Sequence, residues 1–157
     1  ENHGLICCGN TVEEVAALTE QVEALLAMPI ITERTAPPVT PAPDGFHWAA
    51  ESWLAHDARA TDLAVAGSYY PDHVVFLGSG LPAQDHDGTA PAIMIEGEGV
   101  LLRNTATPSQ RAMLTCLSDL LSRLPTDWTP TAIGPEAEAE LLNWDAEKYR
   151  QALAART

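Results

Sequence analysis

The chain has 157 residues, a length that fits one domain or a small domain with an attached segment. Hydrophobic residues make up 46% of it, which is enough for an apolar core, yet no apolar run approaches the roughly 20 residues that a transmembrane helix requires. Twenty-two acidic residues against eight basic ones give a formal net charge of −14, which repels nucleic acid and anionic lipid. The composition therefore predicts neither a nucleic-acid partner nor a membrane partner.

The cysteines argue against a disulfide framework. There are three of them, an odd number, and Cys7 and Cys8 are adjacent in a predicted strand, where neighbouring side chains point to opposite faces. No basic segment followed by an apolar stretch indicates a signal peptide. We therefore predict a reducing, cytoplasmic location.

The chain opens with a predicted strand and helix. The apolar residues 5–8 predict a short buried strand, and Gly9 begins the turn that ends it. Thr11 and Glu14 have the spacing of a capping box, which predicts a helix that ends before Pro29. Its apolar residues recur at helical period and predict a surface helix packed on a sheet: Val15, Leu18, Val22, Leu25 and Leu26.

The polar turn Asn2-His3-Gly4, followed by this strand, glycine and capped helix, resembles the last metal-ligand segment of the class II aldolase/adducin-head family. The resemblance covers residues 1–28. It implies that they are the last strand and helix of an αβα sandwich with a largely antiparallel sheet, in a family that often forms tetramers with sites between subunits. We therefore expect a homo-oligomer.

The same resemblance implies that His3 binds a catalytic divalent metal, with zinc as the first choice. In this family the metal polarises a carbonyl and stabilises the enediolate formed when a carbon–carbon bond to a ketose or ketose phosphate is cut. A sugar or sugar phosphate is thus the implied small-molecule partner. The family supplies two further histidines, in a His-x-His pair, and an acid upstream of the motif. None is present here, and the chain starts without methionine, so we expect a missing upstream segment.

A second interpretation is a noncatalytic binding or assembly module, as in the adducin-like members of the family. One histidine cannot hold a catalytic metal by itself, and the chain as given favours this alternative.

Residues 29–45 form a predicted linker. Five prolines interrupt the segment, so neither a helix nor a central strand can continue through it. Such a stretch often joins two structural units, although it can also lie along the surface of one. We place a domain boundary here, between residues 1–28 and a C-terminal extension of residues 46–157.

The extension predicts a small mixed sheet covered by helices, of the α/β or α+β class. One or two short helices are expected within residues 46–65, and strands at 74–77, 91–95 and 100–102, the last two joined by a hairpin at residues 96–99. Thr107, Pro108 and Gln110 predict a helix that ends at Pro125. A last helix is expected from Pro135 through Leu153.

Other polar residues of the extension admit a functional and a structural interpretation. Asp72 and His73, with the loop residues Asp85, His86 and Asp87, could form a second metal or substrate site. We favour a structural interpretation, with Asp72 capping a strand, His73 partly buried and residues 85–88 in a solvated turn. The same preference holds for His47 and His56.

Residues 70–80 also resemble the Pro-Asp-His-Val-like stretch that class II aldolase-family proteins with C-terminal extensions carry. No Gly-x-Gly-x-x-Gly opens a helix after a strand, so a dinucleotide site is not expected. Cys116 lies on an apolar helix stripe and is predicted to be core. Trp144, Asp145 and Tyr149 could line a neighbouring subunit's pocket, but aromatic residues at helical spacing more often belong to the core.

Overall fold

The computed structural model describes residues 5–86 and 88–155, which form helices and a small sheet. In chain order the elements are α1 (Val12–Leu26), β1 (Phe46–Trp48), a 3-10 helix (Ala50–Ala55), α2 (Ala58–Ala66), α3 (Pro71–Phe76), β2 (Ala92–Ile95), β3 (Gly99–Arg103), α4 (Pro108–Arg123), α5 (Pro135–Asn143) and α6 (Asp145–Ala154). This mixture of helices with a small sheet confirms the predicted mixed class.

The sheet has strand order β1-β3-β2, and both strand pairs are antiparallel, so the prediction of a mixed sheet is wrong. The predicted hairpin is confirmed: Ile95 pairs with Gly99, and Gly97 takes a φ of +73° in the turn between β2 and β3. Strand β3 is the central strand and is buried along most of its length, with Val100 and Leu102 in the apolar core. Strand β1 occupies the start of a segment for which only helices were expected.

One apolar core holds the sheet, the 3-10 helix and α4 together. Trp53 and Leu54 of the 3-10 helix and Leu114 and Leu117 of α4 are almost completely buried in it. Trp53 also donates a hydrogen bond from its indole N–H to Ser118 Oγ at 2.8 Å, so the polar atom of this buried side chain has a partner.

Helix α4 begins as predicted. Thr107 Oγ1 accepts a hydrogen bond from the backbone N–H of Gln110, and Gln110 Oε1 accepts one from the backbone N–H of Thr107. At the other end Arg59 donates to the carbonyl oxygens of Leu124 and Pro125, just beyond the last turn. The capping residues thus pair backbone N–H groups that the start of the helix leaves unpaired, and Arg59 bonds the segment that leaves α4.

The predicted strand at residues 74–77 is wrong, because the chain forms helix α3 there. Pro71 takes the first helical position, and Leu77 N–H donates to His73 O at 2.8 Å. Val74 and Val75 are buried against Leu141 in a second, smaller apolar cluster. A short apolar run cannot be assigned to strand or helix from its period alone, and tertiary packing decided this one.

Two further predictions need correction. Residues 5–8 do not form a buried strand: the segment is irregular and Leu5 and Ile6 are exposed. The predicted last helix is two helices, because Trp144 adopts an extended conformation between α5 and α6.

The proline-rich segment lies in part along α4. The backbone N–H groups of Ile31 and Thr32 both donate to Ser122 O, and Arg34 forms an ion pair with Asp119. Among the described residues, no helix is both long and apolar enough to cross a bilayer.

Candidate functional site

His3 lies outside the described residues, so its surroundings begin with the segment that follows it. Thr11 Oγ1 accepts from Glu14 N–H at 3.2 Å, and Asn10 N–H donates to Glu14 Oε2 at 2.8 Å, which starts α1 close to the predicted position. Along the sequence, a short segment separates the Asn2-His3-Gly4 motif from the capped helix α1.

The apolar face of α1 is largely exposed, with only Val15 and Val22 half-buried. No residue of α1 is buried, and the side chains of Val12 and Leu25 are 81% and 84% exposed. At its C-terminal end, α1 and the end of α4 enclose a groove of about 650 Å³ lined by Leu26, Met28, Leu120 and Trp128 together with Glu23, Ala27, Arg123 and Leu124. We call this the α1–α4 groove. The lining is mostly apolar, and Glu23 and Arg123 are its charged members.

A buried carboxylate anchors α5. Glu138 is 5% exposed, and its Oε1 accepts from the backbone N–H and the hydroxyl of Ser68, while its Oε2 accepts from the hydroxyl of Ser79 at 2.6 Å. Burial raises the pKa of the Glu138 carboxyl, but the hydrogen bonds from Ser68 and Ser79 outweigh it and hold that pKa below its usual value. Glu138 is thus ionised and ties α5 to two loops.

His73 is fully buried, beside the rings of Tyr69 and Tyr70. Its Nδ1 accepts from the backbone N–H of Tyr69, which places the proton on Nε2, and Nε2 has no hydrogen-bond partner among the described residues. Burial lowers the pKa of His73 to about 4, against a smaller opposing effect of the Glu138 charge. The prediction that His73 is only partly buried is wrong.

A second groove, of about 320 Å³, lies between α3 and α6, and we call it the α3–α6 groove. Arg150 of α6 lines it, 2.7 Å from Asp72 Oδ1 and 2.9 Å from Glu147 Oε2, with its guanidinium over the Phe76 ring. The hydrogen bond to Asp72 is the main effect that raises the pKa of Arg150. Asp72 lies in the first turn of α3, so the prediction that it caps a strand is wrong.

Two aromatic side chains complete the α3–α6 groove, Tyr70 and Trp144, and Leu141 and Pro71 line the rest of it. Burial, with the nearby Cys116 and Asp72, raises the pKa of Tyr70, so its phenol stays neutral. Trp144 is 44% exposed. The groove thus combines a protonated guanidinium, two carboxylate side chains and aromatic surface.

The other candidate residues are dispersed. Asp85 forms an ion pair with Arg103 and accepts from Ala90 N–H, so it is not part of a solvated turn. His86 and His56 are exposed, His47 shares a hydrogen bond with Asn104, and Asp87 lies outside the described residues. Cys116 is exposed, which corrects its assignment to the core, and like Cys7 and Cys8 it is a free thiol.

No group of three or more histidine, cysteine, aspartate or glutamate side chains within residues 5–86 and 88–155 is arranged to hold a metal ion. Asp72 and His73 are not joined to Asp85 and His86 in one site. A metal site at His3 would need ligands that these residues do not provide.

Neither Glu138 nor Arg150 was among the residues that the sequence predicted to be functional. The partners of Glu138 are 59 and 70 positions away, and Asp72 belongs to a segment predicted as a strand entry. The alternation of glutamate and alanine over residues 136–140 does not distinguish Glu138 from Glu136 or Glu140.

No protein-family model, curated protein or solved structure matches this chain.

Proposed function

We propose that residues 1–28 belong to a class II aldolase-like domain, and that residues 46–157 form a unit attached to it through the proline-rich segment. The activity of such a protein is the metal-dependent cleavage or formation of a carbon–carbon bond in a sugar-derived ketose or ketose phosphate. His3 of the Asn2-His3-Gly4 motif is the proposed metal ligand, and zinc is the first candidate.

The observation that carries the proposal from the described residues is the exposed apolar face of α1. An amphipathic helix with an apolar stripe gains stability by burying that stripe, but in α1 only Val15 and Val22 are half-buried, and Leu25 and Leu26 are largely exposed. The remainder of an αβα sandwich would cover this face. The Asn2-His3-Gly4 motif and the apolar face of α1 are thus two separate observations in favour of an aldolase-like domain.

One imidazole cannot hold a catalytic metal, so the proposal requires a His-x-His pair and an acid from outside the described residues. When bound, the metal would supply Lewis-acid polarisation of the substrate carbonyl. Subunits that share sites would also expose the apolar surfaces through which they assemble, in keeping with a homo-oligomer.

A noncatalytic binding or assembly module is the second candidate. The α1–α4 groove favours it, because an apolar groove suits a protein partner and needs no metal. The two candidates differ in metal content and in activity, and both can be measured on the same preparation.

The test is metal analysis of the purified full polypeptide that contains this chain. We expect about one divalent ion per subunit, lost on His3→Ala because the site then lacks an essential ligand. His56→Ala, which removes an exposed histidine, is the matched control and should retain the ion.

Cleavage of ketose phosphates should disappear with the metal and return when zinc is added back. A preparation that folds and assembles but holds no metal and cleaves no ketose phosphate would overturn the catalytic proposal and favour the assembly module.

A further inference from the structure

We propose that the α3–α6 groove binds a neutral, polyhydroxylated small molecule of about the size of a monosaccharide. The inference rests on the side chains of the groove and is independent of any metal at His3. It concerns residues 70–76 and 141–150, which the aldolase proposal leaves without a role.

The groove has the size and composition of a ligand site. Its volume of about 320 Å³ lies at the lower end of the range of small-molecule pockets, which combine aromatic surface with a few fixed polar groups. Trp144 is held between α5 and α6 and leaves 44% of its surface exposed. An indole face in such a place suits the C–H face of a sugar ring, which is apolar.

The polar groups are held in place before any ligand arrives. Arg150 is bound by Asp72 and Glu147 and rests on the Phe76 ring, and Gln151 donates to the carbonyl oxygen of Val75 at 2.7 Å. These contacts join α6 to α3, so little side-chain entropy is left to lose on binding.

The donor and acceptor set matches hydroxyl groups. A carboxylate accepts hydrogen bonds at several lone pairs and a guanidinium has five N–H donors, so Asp72, Glu147 and Arg150 retain capacity beyond their ion pairs. A hydroxyl both donates and accepts. Neighbouring hydroxyls on one ring can therefore bond to a carboxylate and to the guanidinium at once.

Charge selects against anions. Two carboxylates and one guanidinium sum to a net charge of −1 in the groove, within a chain of net charge −14. A phosphate would meet repulsion from both carboxylates. A cation would be repelled by the Arg150 guanidinium that lines the groove, so a neutral polyol is the favoured occupant.

The experiment is an NMR titration of the whole chain with D-fructose and with D-glucose, each up to roughly 100 mM, a range that detects millimolar affinity. We expect saturable shifts of backbone amides in residues 70–76 and 141–151. Trp144→Ala should weaken binding about three- to tenfold, because the stacking surface is lost. Trp128→Ala, which removes an exposed indole from the α1–α4 groove, should not.

Glu147→Gln provides a second variant that keeps the side-chain shape and removes one charged acceptor. It should weaken sugar binding, whereas Glu136→Gln on the exposed start of α5 should leave it unchanged. Circular dichroism and thermal unfolding establish that each variant is folded.

The absence of saturable shifts with both sugars would overturn the proposal. Arg150 would then have only the structural role of holding α6 against α3. Tighter binding of inorganic phosphate or of butylammonium than of either sugar would also overturn it. Loss of metal on His3→Ala does not affect this titration, so the two proposals fail separately.

Discussion

At the scale of single residues, the burial of His73 has a consequence for pH stability. Its Nε2 has no partner among the described residues, so protonation would place a charge in an apolar setting with one carboxylate, Glu138, nearby. The other charged group close to it along α3 is Asp72, which is paired with Arg150. The neutral imidazole is therefore the form that the fold accepts.

The pH dependence follows from the difference in pKa between the two states. The pKa of His73 falls from 6.5 in the unfolded chain to about 4 in the folded one, so protons bind the unfolded chain more tightly. The contribution of His73 to the free energy of unfolding is therefore fully present above about pH 6.5. Below that pH the free energy of unfolding should fall by up to about 1.4 kcal/mol per pH unit. The pKa of Glu138 is lowered, so this carboxylate adds to the pH dependence of stability only at more acidic pH.

Urea unfolding between pH 5 and pH 7 measures this slope. His73→Asn keeps an acceptor for the Tyr69 N–H and does not titrate, so its stability should be lower but much less dependent on pH. His56→Asn removes an exposed histidine and should keep the slope of the unchanged chain. Equal slopes in all three proteins would contradict the role of His73.

At the scale of elements, the two glycines of the β2–β3 hairpin have different functions. Gly97 has a positive φ, and an added Cβ would meet open space. Gly99 has ordinary backbone angles, but a Cβ there would lie 2.8 Å from Ser52 Oγ and 2.9 Å from the Trp48 ring. Gly97 thus allows the backbone conformation of the turn, and Gly99 allows the close approach of β3 to the 3-10 helix.

Gly99→Ala should therefore lower the free energy of unfolding by about 2 kcal/mol through overpacking. Gly97→Asn should change it by less than about 0.5 kcal/mol, because asparagine tolerates the left-handed region and no clash arises. Urea unfolding of both variants measures the difference. Similar losses of unfolding free energy in the two variants would contradict the different functions of Gly97 and Gly99.

Helices α4 and α3 differ in how far local chemistry determines them. The reciprocal bonds of Thr107 and Gln110 join residues three positions apart, so the start of α4 was visible in the sequence. The start of α3 also has a local signal in the sequence, because Pro71 takes the first helical position. The β-branched pair Val74 and Val75 outweighed it in the prediction, because their burial against α5 was not visible.

At the scale of the whole molecule, the predicted boundary between residues 1–28 and the extension can be tested by truncation. Removal of residues 1–28 deletes α1, which buries no residue, and should shift the melting temperature by less than about 3 °C. Removal of residues 1–34 also deletes the hydrogen bonds from Ile31 and Thr32 to Ser122 and the Arg34–Asp119 ion pair.

The longer truncation should therefore lower the melting temperature by a further roughly 4 °C or more. Differential scanning calorimetry of both truncated proteins measures the two shifts. An unfolded protein after removal of residues 1–28 would contradict the boundary and show that the extension depends on α1.

The sequence by itself determined the features that depend on near neighbours: the cap at Thr11, the start of α4, the β2–β3 hairpin and the mixed class. It also carries the Asn2-His3-Gly4 motif, whose metal role stays a prediction. Tertiary structure alone decided that residues 74–77 are helical, that His73 is fully buried, that Glu138 bonds Ser68 from 70 positions away, and that Arg150 meets Asp72. These features depend on contacts between distant segments, and local propensity and hydrophobic period carry no information about which distant segments meet.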